Sequence, residues 1–188
     1  MDNQTIILVV AIAVVALVAV AIVWFVARNR RTDLLKRRFG AEYDHTLDAF
    51  GSRATAEADL IDRAKRVKQL EIHPLSPETR DRFASRWRQT QASFVDNPVS
   101  AVAEADALVE EVMQARGYPV EDFERRAADI SVEHPRFVQN YREAHAVAVS
   151  ARRGTVRTED LRRATLYFRE LFEDLLERAT RRTAQVPR

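Results

Sequence analysis

Residues Ile6 to Ala27, IILVVAIAVVALVAVAIVWFVA, form a run of 22 residues with no charge. At about 1.5 Å per residue a helix of this length reaches roughly 33 Å, against a hydrocarbon core of about 30 Å. A bilayer offers the backbone no hydrogen-bond partners, so a run placed there must be helical. It has no polar face, which separates it from a helix lying in the membrane surface. A cleaved signal peptide would carry cations ahead of a shorter apolar stretch and small residues at the cut. Here MDNQT has no Lys or Arg, and Trp24 and Phe25 stand where small residues would be wanted. The run therefore predicts an uncleaved transmembrane helix over 6–27, with residues 1–5 as a short extracytoplasmic N-terminus.

Orientation follows from the flank. No cation precedes the run, and Arg28, Arg30, Arg31, Lys36, Arg37 and Arg38 follow it. The excess of Lys and Arg marks the cytoplasmic side, and Trp24 and Phe25 fall at the same end, where an aromatic belt belongs. The expectation is a single-pass protein of the cell inner membrane, N-terminus out and C-terminal domain cytoplasmic. These eight residues form the expected membrane interface, and the cations are suited to contact with anionic lipid.

The sequence pI of about 9.2 belongs to the ends of the chain. The whole chain carries +2, residues 28–38 carry +5, residues 178–188 carry +4 and Asp2 carries −1, which leaves −6 for residues 39–177. A nucleic-acid binder would place its positive field on the folded body. Nucleic acid is not an expected partner. There is no cysteine, so disulfides, thiolate metal sites and thiol nucleophiles are excluded.

Beyond the run, glycine and proline are scarce and no alternating strand pattern occurs, which predicts an all-α chain. Residues 28–72 read as a basic juxtamembrane segment and a helical stalk, with Tyr43, Leu47, Phe50, Ala54, Ile61 and Ala64 as an apolar stripe broken at Glu57. Pro74 and Pro77 end the stalk. Residues 73–178 then read as a bundle of about five helices. Ser76-Pro77-Glu78 and Asn97-Pro98 are helix starts, with a capping side chain followed by proline. The second of these helices stops at Gly117. Phe123, Ala127 and Ile130 mark a short third helix, Pro135 opens a fourth, and Thr158 caps the last. Residues 179–188 read as a basic tail.

Few residues carry a pattern that points to chemistry. Glu42 and His45 have the spacing of a Glu-x-x-His metal pair, but no second copy exists, so a solvated polar face is the expected role. The acidic residues Glu104, Asp106, Glu110 and Glu111 also read as a solvated face, with docking of a basic partner as the alternative. No nucleophile–base pair or phosphate loop is apparent, and no enzyme activity, catalytic residue, metal or cofactor is expected. Trp87, Tyr118, Pro119 and His145 are the candidates for partner or ligand contact. The aromatic residues Phe83, Trp87, Phe94, Tyr167, Phe168 and Phe172 read as core, with a pocket lining as the alternative.

From Ile72 to Phe172 the segments PLSPE, RW with a following F, FVDNPVSAVAEADALV, RGYPVEDFERRAADISVEHP and YREAHA resemble a group of bacterial proteins with one N-terminal membrane helix and a C-terminal helical domain. The resemblance implies a defined helical domain and a bacterial source. No activity is established for that group, so no catalytic residue carries over. The function expected is a membrane-anchored module for protein–protein interaction or scaffolding at the cytoplasmic face, its protein partner unidentified and self-association included. A small-molecule or lipid-sensing bundle is the alternative, and an enzyme the third reading.

Overall fold

The computed structural model describes residues 3–154 and 156–183, and the side chains of residues 4, 12, 16–154 and 156–177. All regular structure among them is helical: α1 (Asn3–Phe39), α2 (Ala41–Phe50), α3 (Arg53–Gln69), α4 (Pro77–Ser93), α5 (Pro98–Ala115), α6 (Phe123–Glu133), α7 (Val138–Ala151) and α8 (Thr158–Thr183). The chain separates into two compact units, residues 1–38 and 39–188.

The first unit is the body of α1. From Ala16 to Ala27 every described side chain is exposed, whichever way it points around the helix. Trp24 and Phe25 are among them, and the Arg28 guanidinium lies 5.2 Å from the centre of the Trp24 ring. Among the described residues no helix is long and apolar enough to cross a membrane. Most of the first half of the Ile6–Ala27 run lies outside the described side chains. The basic tail 179–188 lies outside them as well.

The second unit is built on α8. Its long apolar face, Leu161, Ala164, Phe168, Leu171, Phe172 and Leu175, packs against α5 and α7. From α5 come Val102, Ala105, Leu108, Val109, Val112 and Met113, all buried in the same core. α4 covers α5 from outside and closes on α8 by stacking Trp87 on Phe172, with ring centres 4.6 Å apart.

Local chemistry sets the boundaries. The Ser76 hydroxyl accepts from the Thr79 amide at 3.2 Å, and the Asn97 side chain from the Ser100 amide at 3.1 Å. Both are orphan donors of a first turn, and a proline follows each cap. Asp122 caps α6 by accepting from the Arg125 amide at 2.8 Å. Pro135 lies in a turn, and α7 begins three residues later, after the Phe137 amide has bonded the His134 carbonyl. Thr158 is already inside α8, because the Arg157 carbonyl takes the first amides.

Where a single stalk was expected, the structure has two helices joined at Gly51 and Ser52 and packed on each other. Gly51 has φ +64, the left-handed conformation that closes a helix. The break resets the helical phase. The buried stripe of α3 is therefore Ala56, Leu60, Arg63 and Val67, while Phe50 and Ala54 of the expected stripe are exposed. The hairpin does not stand clear of the bundle: α3 packs on α6, and α2 touches α7.

Candidate functional site

The side of the bundle where α2, α3, α5, α6 and α7 meet carries a seam of buried charge. α7 is its hub, because Tyr141, Arg142 and His145 lie within one turn and a fraction of each other and reach three different helices.

Glu42 on α2 has a side chain with no exposed surface. Its Oε1 accepts from Arg63 of α3 at 2.7 Å and from Arg142 of α7 at 2.9 Å, and its Oε2 accepts from the second Arg142 nitrogen at 2.5 Å. A carboxylate removed from water needs such partners, since an unpaired buried charge costs several kcal/mol. The expectation that Glu42 belongs to a solvated face is therefore corrected. It is the centre of a three-helix ion cluster, while His45 is exposed. Glu57, which breaks the apolar stripe, is also buried and accepts from the Tyr43 hydroxyl at 3.1 Å. Burial, and then this bond to Glu57, raise the Tyr43 phenol above its usual pKa.

Asp129 on α6 is fully buried. Its Oδ1 takes both the Nε and an Nη of Arg66 on α3, at 2.8 and 2.5 Å, while Oδ2 is buried with no donor. The acidic face of α5 is likewise engaged. Asp106 is buried against His145, whose Nδ1 lies 2.9 and 3.1 Å from the two carboxylate oxygens. Glu110 pairs with Arg126 at 2.8 Å, and Glu111 receives two hydrogen bonds from Arg86, one of them 2.9 Å long. The bonds from Arg86 hold the Glu111 carboxyl below its usual pKa, against a smaller opposing effect of burial. Glu104 is exposed. Of the four acids expected on a solvated face, three are engaged with basic side chains.

Arg126 links the seam to the core. Its Nε donates to the Tyr141 hydroxyl at 2.9 Å and an Nη to the Val120 carbonyl at 2.8 Å. Burial drives the Tyr141 phenol well above its usual range, although Arg126 pulls the other way. His145 also stacks on Phe123, with ring centres 3.7 Å apart.

Of the contact candidates, the fold places His145 in this seam and the others elsewhere. Tyr118 is buried and donates to Glu133 at 2.7 Å, so it offers a partner no surface. Trp87 is buried in its stack, and Pro119 is half-buried. Arg28, Arg30, Arg31, Lys36, Arg37 and Arg38 are all exposed. Among the described residues, recesses also lie away from the seam. A crevice of about 240 Å³ between α7 and α8 is lined by Ala144, Val147, Ala164 and Tyr167. An open groove of about 640 Å³ runs between α4 and α8 beside Trp87 and Phe172. Among the described residues no group of three or more His, Asp and Glu side chains could hold a metal ion.

Sequence reasoning missed the cluster of Glu42, Arg63, Arg142, Arg66 and Asp129. The signal available was slight: cations and acids falling at positions where the helical period asks for apolar residues. Comparison with known proteins adds no family, since no family model, curated protein or solved structure matches the chain.

Proposed function

We propose that the chain is a single-pass inner-membrane protein that presents a helical bundle at the cytoplasmic face for protein–protein interaction or scaffolding. One observation carries the reading: α1 bears apolar side chains on every side, and those described from Leu17 to Val26 have no protein covering them. Water is a poor medium for such a helix, and a bilayer is the medium that matches its length and lack of polarity. The six cations that follow it set the direction. Within the bundle, the aromatic side chains Phe83, Trp87, Phe168 and Phe172 are packed in the core. That filling favours an interaction module over a bundle built around a ligand.

The test is a topology reporter. Alkaline phosphatase fused after Arg188 should be inactive, and a fluorescent protein at the same place should be bright. An active phosphatase would overturn the orientation, and release of the full chain from membranes by alkaline carbonate would overturn the anchor. Cross-linking in native membranes followed by mass spectrometry then identifies the partner. A chain cross-linked to nothing, itself included, would overturn the interaction reading.

A further inference from the structure

We infer that the α2–α3 hairpin is a clasp, which opens from the bundle as a unit and uncovers the outer face of α6. Four observations support this, and none depends on the anchor.

First, the hairpin stands outside the bundle's apolar core. Tyr43, Ala56, Leu60 and Val67 are buried, yet none belongs to the continuous core of α4 to α8. The two apolar groups are separate.

Second, ion pairs tie the hairpin to the bundle, Glu42 with Arg142 and Arg66 with Asp129. Buried ion pairs balance attraction against desolvation and so add little net hold, whereas apolar packing of the same volume is often as stable or more so. The balance is poorer still at Asp129, whose Oδ2 is buried without a donor.

Third, α6 has two burial faces. At about 100° per residue, Phe123, Ala127 and Ile130 share one sector and face the main core. Ala128, Asp129 and Val132 share the opposite sector, are buried, and lie outside that core. Asp129 identifies this second sector as the one under α3.

Fourth, the hairpin has defined ends. Gly40 at its start has φ +55, and a side chain there would meet nothing within 4 Å. At its other end Leu70 leaves the helical conformation with ψ 140. The linker beyond is fixed to the bundle, because the His73 amide donates to the Arg116 carbonyl at 3.0 Å and Leu70, Ile72 and Leu75 pack on the core. Movement is thereby stopped at Leu70 on the bundle side.

Hydrogen exchange on the full chain in detergent tests the clasp under native conditions. Amides of α2 and α3 should exchange by a shared opening that is more frequent than that of α5 and α8 and that rises with low denaturant, with a smaller slope than global unfolding. Glu42→Gln should raise exchange in α2 and α3 by about 100-fold, the scale set by stranding buried arginines, and leave α5 and α8 within about threefold. The absence of cysteine gives a second readout. An Ala128→Cys thiol under the clasp should react faster when Glu42→Gln is added, by a factor that follows the exchange, while an Ala105→Cys thiol in the main core should not change. Equal protection of all four helices in the unmodified chain would overturn the clasp, as would a Glu42→Gln effect shared equally by α5 and α8.

Discussion

Single side chains account for the pH dependence to be expected. Glu111 has its pKa lowered by Arg86. A carboxyl with a lowered folded value lends stability that is present above its unfolded value, about 4.3, and is lost as pH falls through the folded one. Carbon-detected NMR should find the Glu111 midpoint below that of a free glutamate, and Arg86→Ala should return it toward the ordinary value. Tyr43 and Tyr141 act at the other extreme. Both phenols are raised, mainly by burial. The unfolded chain releases these protons near pH 10 while the native chain keeps them, so stability falls as pH rises past about 10. Ultraviolet titration should show Tyr141 silent in the native protein until alkaline unfolding, and Tyr43 ionising at a higher pH than a free phenol. Tyr141→Phe should remove part of that alkaline instability.

Helix ends were the most legible level of this sequence, and substitutions at them give defined losses. Asn97→Ala removes the acceptor for the Ser100 amide and should cost about 1 kcal/mol, read as a drop in Tm of roughly 2–4 °C. Gly117 is a harder case. It has φ +95, and an added Cβ would stand 2.6 Å from the Glu71 carbonyl oxygen. Gly117→Ala should cost at least about 1–3 kcal/mol in thermal unfolding, well beyond the loss of a cap. Ser76, Asn97 and Gly117 could be read ahead of the structure because each acts within a few residues of itself. The phase of α3 could not, because it depends on where Gly51 ends the preceding helix. The partners of Glu42, Asp106 and Asp129 were still less accessible. Glu42 and Asp106 read from the sequence as parts of solvated faces, and which basic side chain meets each of these acids is decided by how five helices stack. Pro135 shows the same limit in miniature: proline is compatible with a turn and with a first helical residue, and the fold chose the turn.

At the scale of the molecule, stability rests on the packing of α4, α5 and α7 around α8. Trp87→Ala would remove the stack on Phe172 and open a gap between α4 and α8, with an expected loss of about 3–5 kcal/mol in chemical unfolding. The contribution of the seam is of another kind. It makes one side of the bundle specific in its pairing, since a slipped hairpin would keep Arg63 with Glu42 but part Glu42 from Arg142 and strand the buried Asp129 away from Arg66. That side joins distant parts of the chain: Glu42 and Arg142 are separated by 100 positions. At about 5–20 residues per second, Arg142 is synthesised some 5–20 s after Glu42. During that interval the hairpin has Arg63 as its own cation and neither α6 nor α7 to rest on. The order of manufacture therefore makes this pair of helices wait beside the ribosome for α6 and α7, whose residues will receive it.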